Sequence, residues 1–464
     1  MRIENGRAND VRIAYIGGGS CGWAWSLMAD LALDGHMSGT VCLYDIDVGS
    51  AKKNSVIGKK FGSLPEAEGQ WDYRVAENLE EALTGADFAV ISILPGTFEE
   101  MRSDVHSPEK YGIYQSVGDT VGPGGLLRAL RTLPIFAELA LAVKEFCPNA
   151  WVINYTNPMT ACLRALYTVF PEIKAFGCCH EVFGAQKLLA QMLEDVHGVK
   201  AERRDININV LGINHFTWID EARYGGADLI PLYRDMAEAR YDEGYAKGKD
   251  TNWMNDSFAS ANRVKFDLFR RYGYIAAAGD RHLAEFCPGK WYLGDPDTVR
   301  GWRFGLTTVD WRVDDFKRRQ KRRERILNGE EELKPAASGE EGHLLMKALM
   351  GLGDTVSNVN LPNTGQISNL PVGAVVETNA LFRAGVVRPI VSGAVPGNIL
   401  SMLQPHVSNQ ETTVRAALEC DEKLAFSVFA NDPLVDIGLQ DARELFEAMI
   451  RNTASYLPAA WTRE

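Results

Sequence analysis

Residues 11–23, VRIAYIGGGSCGW, constrain the fold more than any other stretch of this chain. An apolar, strand-like run ends in Gly17, Gly19 and Gly22, which fit G-x-G-x-x-G, and SLMADLALD (26–34) continues with helical spacing. Gly17 permits a tight turn, Gly19 lets the backbone approach a pyrophosphate, and Gly22 lets the helix pack close to the strand. The helix start then offers unpaired N–H groups and the positive end of a dipole. A second strand, TVCLYDID (40–47), carries Asp45, 23 residues past Gly22. An acid there accepts from ribose hydroxyls and repels a 2′-phosphate, which favours NAD over NADP. The competing reading is an ordinary tight turn rich in glycine.

Further strand candidates are DFAVISI (87–93), AWVINYT (150–156) and IKAFGCC (173–179), separated by helical patterns such as LPIFAELALAVKEF (133–146). This alternation predicts an α/β fold with a mostly parallel sheet. After residue 205 the texture changes, and DININVLGINHFTWIDEARYGG (205–226) reads as antiparallel strands with a turn. The expected division is a Rossmann-type nucleotide-binding domain over 1–204 and an α+β substrate domain over 205–464. A net charge of −12 disfavours nucleic acid and anionic membrane as partners. No apolar run is long enough to span a membrane, and the start lacks a signal-like segment. Eight scattered cysteines favour free thiols in a reducing cytoplasm. The one charge run, FKRRQKRRERILNGEEELK (316–334), reads as a solvated helix rather than a basic patch.

Several strand ends carry groups with chemistry. GCCHEVF (177–183) ends the last parallel strand, where such sheets bind ligands. GINHFTW places His215 where it could face the same crevice. A thiolate and an imidazole can hold a divalent ion and leave positions open for substrate oxygens. Two core cysteines and a satisfied histidine fit the spacing equally well. Alternation on a strand sends Cys178 and Cys179 to opposite faces. AGDRHLAEF (278–286) gathers Asp280, His282 and Glu285, as an acid–base group or as a capped helix start. In NYTNPM (154–159), Asn154 and Asn157 offer amide contacts to a nicotinamide or a sugar, or simply shape a turn. SVGDTVGPGGLLRALRT (116–132) reads as an ordered loop over the cleft, with Asp119, Arg128 and Arg131 aimed at ligand or partner charges.

Taken in order, YIGGGSCGW, SVGDTVGPGGLLRALRT, NYTNPM, GCCHEV, GINHFTW and GDRHLAEF resemble glycoside hydrolase family 4, the NAD- and metal-dependent glycosidases. The resemblance extends through NVNLPNTGQISNLPVGAVVETNA (358–380) and is nearest to the α-galacturonidase branch. It implies a lactate/malate dehydrogenase-like Rossmann domain with an α+β substrate domain, and members usually form dimers or tetramers. It also implies a redox route. NAD+ takes a hydride from sugar C3, a base removes the acidified C2 proton, the C1 aglycone leaves, water adds, and the hydride returns. By resemblance, Cys179 and His215 match the metal ligands of the family, usually for Mn2+. His180 is assigned to substrate binding or leaving-group protonation. No tyrosine matches the C2 base of the phosphoglycosidase members, so Asp280 is the candidate base, with His282 and Glu285 as alternatives. Arg281 and Arg102 are candidates for a uronate carboxylate, and Asn157 and Asp119 for other substrate contacts. The expected substrate is a galacturonic-acid oligosaccharide such as pectin yields. Competing readings are an α-galactosidase or α-glucosidase of the same family, a net-redox sugar or hydroxy-acid dehydrogenase, and a non-catalytic nucleotide sensor.

Overall fold

Before residue 178 the chain forms seven strands, five from the apolar runs and two, β1 and β4, from polar segments at the edge: β1 (Arg2–Glu4), β2 (Arg7–Ile16), β3 (Met37–Tyr44), β4 (Gln70–Val75), β5 (Phe88–Ile91), β6 (Trp151–Asn154) and β7 (Lys174–Gly177). The computed structural model describes residues 1–246 and 260–462. Strands β4-β3-β2-β5-β6-β7 are parallel neighbours in that order, and β1 pairs antiparallel with β2. This is the Rossmann arrangement expected from the sequence, and the chain reverses direction between β2 and β5. The crevice at that reversal faces the carboxyl ends of the strands, where the glycine loop, the segment after β5 and the CCHE segment all emerge.

Four strands form a separate antiparallel sheet: β8 (Ile206–Ile213), β9 (Phe216–Tyr224), β10 (Ala227–Asp228) and β11 (Ile275–Ala276). The last three, β12 (Thr355–Pro362), β13 (Val375–Arg383) and β14 (Val386–Pro389), return to the first sheet. β12 runs antiparallel to β7, with Asn360 opposite Gly177. Residues beyond 205 therefore complete a ten-stranded sheet that begins in the first part of the chain. Sequence pattern hides β12 because it buries Ser357, Asn358 and Asn360 along with Val359 and Leu361, which erases the apolar–polar alternation.

A helix at Gly122–Phe146 starts eleven residues before the predicted apolar spacing at 133. Its first turn, Gly-Pro-Gly-Gly, has poor helix propensity, so it reads as loop. The glycines are there for closeness. A Cβ on Gly125 would meet the Thr120 carbonyl carbon at 2.5 Å, and one on Gly124 the Gly118 oxygen at 2.8 Å. Pro123 sits in the first turn, where its missing N–H costs nothing. Leu127, Leu130, Leu133 and Phe136 are buried against the sheet, each contributing about 1.5–3 kcal/mol. That packing fixes the segment carrying Asp119 and Thr120 over the crevice.

Candidate active site

The nucleotide loop has the expected form. Gly17 has φ +97°, and a Cβ there would lie 2.0 Å from the Ser92 carbonyl oxygen, so no other residue fits. Gly19 N–H donates to Asp45 Oδ2 (2.8 Å). The helix Trp23–Leu33 begins at Gly22 with no side-chain cap and no acid in its first turn, leaving its N–H groups for an anion. Gly22 differs from expectation. A Cβ there would meet Arg319 Nη1 at 2.9 Å, so the closeness is to the helix Val309–Leu327 rather than to the strand. That helix contains the charge run. Most of it is solvated, yet Arg323 is only 3% exposed and donates to Gly19 O (3.4 Å) and Ser50 Oγ (3.3 Å).

Beside this loop, Asp119, His215 and His282 present ligand atoms within 4.8 Å of one another, all three residues buried. His215 lies at the two-residue turn between β8 and β9, at φ +65°, a conformation disfavoured for a side-chain-bearing residue. Its ring stacks on His282 with centroids 3.7 Å apart. Thr120 Oγ1 donates to Asp119 Oδ1 (2.7 Å) and lies 2.8 Å from His215 Nδ1. The hydroxyl has one proton, and an ionised Asp119 can only accept it. His215 must therefore carry its proton on Nδ1, leaving the Nε2 lone pair free. Burial works against Asp119 ionising, but the Arg128 guanidinium holds its carboxyl well below the usual range. Burial brings His215 down to about 3 and lowers His282 as well, so both rings are neutral donors near pH 7.

Four buried polar atoms around this cluster have no partner: His282 Nδ1, Asn157 Oδ1, Asn214 Oδ1 and Glu285 Oε2. Two imidazoles and a carboxylate suit a divalent transition metal, and the orphaned oxygens suit the hydroxyls of a sugar. Cys179 is buried next to the cluster, with Asn214 and Glu377 as neighbours, but its sulfur is not one of the three close ligand atoms. Cys178 packs in the core on the other face of the sheet, so the two sulfurs diverge as alternation predicts.

The remaining predicted residues divide. Asn157 joins the cluster, donating to Asp119 Oδ2 (3.3 Å). Asn154 is spent on its own turn, bonded to both backbone groups of Thr156. Asp280 is turned away. Its carboxylate caps the neighbouring helix Arg263–Tyr272 through Val264 N (3.4 Å) and Lys265 N (3.2 Å), with the buried Lys265 alongside. The physical reason is helical geometry. Asp280 and His282 lie two apart in the helix Asp280–Glu285 and cannot share a face, whereas His282 and Glu285 do. Arg102 lies on the surface, paired with exposed Asp310 at 2.8 Å. Arg281 reaches Thr307 at the edge of the cluster. His180 is half exposed at the mouth, its Nδ1 3.0 Å from Glu340 Oε1. Glu285 accepts from Val117 N (2.7 Å) and Gly118 N (2.9 Å) at Oε1, and burial pushes it up to about 7. Arg312, which the sequence reading passed over, reaches the same loop. All eight cysteines are free, and no described helix is long and apolar enough to cross a membrane.

Comparison with known proteins points to one family. Residues 12–195 match the model for family 4 glycosyl hydrolases, and residues 210–435 match the C-terminal domain model of the same family. The chain is 60% identical over 458 residues to an alpha-galacturonidase of Thermoanaerobacterium saccharolyticum, covering 98% of each chain. A Bacillus subtilis protein solved as a candidate glucosidase superposes with TM-score 0.91 at 51% identity, covering 95% of this chain and 100% of that one. A 6-phospho-alpha-glucosidase from gut microorganisms, solved in complex with NAD and Mn2+, shares the fold with TM-score 0.81 at 22% identity, over 97% and 99% of the two chains.

Proposed function

This chain belongs to family 4 of the glycosyl hydrolases, and from that premise we propose that it is an NAD- and Mn2+-dependent α-galacturonidase. The observation that carries the reading is the meeting of Asp119, His215 and His282 within 4.8 Å at the same sheet end as the glycine loop. The long, high-identity likeness to alpha-galacturonidases supports the substrate.

When bound, the nicotinamide accepts and returns a hydride at sugar C3, and the divalent ion acts as a Lewis acid on adjacent sugar oxygens. The chain supplies the rest. Gly17, Gly19, Gly22 and Asp45 hold the dinucleotide, and His215, His282, Asp119 and Cys179 hold the metal. Asn157 and Asn214 orient sugar hydroxyls through their orphaned oxygens. Glu285 takes the C2 proton at Oε2, a role its burial-raised pKa near neutrality suits. His180 protonates the leaving oxygen, held by Glu340. Residues up to about 204 carry the nucleotide loop together with Asp119, Asn157, Cys179 and His180, and later ones bring His215, His282, Asn214 and Glu285 to the metal and the sugar. Exposed Val372, Ile390 and Val391 support self-association as a dimer or tetramer, and the free thiols support a cytoplasmic setting.

The test is the hydride's return. With aryl α-galacturonide, NAD+ and Mn2+, NADH should not accumulate with product, and solvent deuterium should appear at C2 of the released sugar. NADH formed in proportion to product would instead establish a net-redox dehydrogenase. Cleavage at full rate by protein stripped of NAD would end the proposal.

A further inference from the structure

Three guanidinium groups converge on the loop that carries Asp119. Arg312 donates from Nη2 to Val117 O (2.6 Å) and from Nε to Thr307 O (3.3 Å). Arg281 donates to the Thr307 hydroxyl, and its own carbonyl accepts from Ser116 Oγ (2.6 Å). Arg128 donates to Asn157 O (3.1 Å), and Asn157 in turn holds Asp119. All three are half-buried.

Asp119 and Glu285 lie near enough to act on the Arg312 guanidinium, and Arg128 acts on Asp119, yet none of these is a direct ion pair. Among the described residues, the hydrogen-bond partners of Arg128 and Arg312 are all backbone carbonyls, and neither has a carboxylate within ion-pair distance. Asp119 accepts from Thr120 and Asn157, and Glu285 accepts from two backbone N–H groups at Oε1. Burial brings Arg312 down to about 10, although Asp119 opposes the shift and Arg128 and Arg281 add to it. Clustered, partly desolvated cations of this kind call for an anion. Among the described residues, Arg312 donates from Nη2 and Nε, and Nη1 has no protein acceptor.

A uronate differs from its neutral hexose by one planar carboxylate in place of a hydroxymethyl group, and a guanidinium edge matches that shape. We propose that Arg312, flanked by Arg281, is the subsite that holds the sugar carboxylate and so selects a uronate over a neutral hexose. The inference rests on the galacturonide reading above and names the residue that enforces it.

The experiment uses NAD- and Mn2+-loaded protein with free galacturonate and free galactose as probes, beside hydrolysis of the corresponding aryl glycosides. Arg312→Gln should weaken galacturonate about 100-fold while galactose changes by no more than about twofold, as expected when one partner of a buried charge pair is removed. Arg312→Lys, which keeps the charge but not the fork, should recover part of the loss. NAD+ affinity and melting temperature should hold in both, and the lysine variant decides the matter if the glutamine variant does not fold. An unchanged preference for galacturonate over galactose in the folded variants would overturn the subsite. Wild-type protein that prefers galacturonate yet never cleaves a galacturonide would leave the subsite standing and overturn the functional reading.

Discussion

Thr120 settles which nitrogen of His215 is available, because its single proton is committed to Asp119. Thr120→Val keeps the shape and removes both contacts. Its expected effect is a 10- to 100-fold loss of Mn2+ affinity, as for other outer partners of metal-ligating histidines, with little change in NAD+ binding. Titration calorimetry checks this, and unaltered Mn2+ affinity would show that the tautomer is set elsewhere. At this scale the sequence displayed each residue but not the company it keeps. Asp119, His215 and His282 stand far apart in the chain and form no local motif, so Asp119 reads as a substrate contact and His282 as an acid or base. The placement of Asp280 was legible in principle. Once AGDRHLAEF is taken as a helix, His282 and Glu285 share a face and Asp280 must leave it.

The helix Val309–Leu327 is the element that joins the two halves of the site. At 1.5 Å per residue its 19 residues span about 28 Å. Arg312, in its first turn, reaches the loop of Asp119, and Arg323, near its other end, reaches the glycine loop. Buried Arg323, whose Nε has no hydrogen-bond partner and lies 4.0 Å from Glu324 Oε1, sits against Gly19 and Ser50, where it adds positive potential for a pyrophosphate. Arg323→Gln should therefore weaken NAD+ binding by about tenfold, the scale of one hydrogen bond to a charged group. Fluorescence titration measures it, and an unshifted dissociation constant in a protein of unchanged melting temperature would refute the role. The charge run hid this element's function because solvated and buried arginines look alike in a string of residues. Only the helical phase against a neighbouring loop separates Arg323 from Arg318 or Arg322. Five of the six parallel strands were legible for the opposite reason, since each is a short apolar run bounded by turns, whereas β4, QWDYRV at the sheet edge, is polar at alternate positions and gave no such signal.

Across the whole molecule, the site is assembled at the cost of burying carboxylates, and stability should record it. Burial pushes Glu285 and Glu377 each up to about 7, against about 4.5 in the unfolded chain. A raised carboxyl pKa favours the folded state fully below pH 4.5, and that advantage is lost as pH climbs toward 7. Burial lowers His215 to about 3, and His282 shifts the same way, which has the opposite sign: their contribution is lost as pH falls below the ordinary histidine value. The two trends oppose one another between about pH 4.5 and 6.5, so neither shows directly in the pH profile of the wild-type protein. A variant separates them. Glu285→Gln removes one carboxyl without touching the histidines, and its stability relative to wild type should rise by roughly 1.4 kcal/mol for each pH unit across that window. Urea denaturation at pH 4.5, 5.5 and 6.5 reads the difference directly. If Glu285 takes the C2 proton, the same variant should be inactive where it is most stabilised. A gap that stays constant with pH would mean that the carboxyl is ionised throughout and that burial does not raise it.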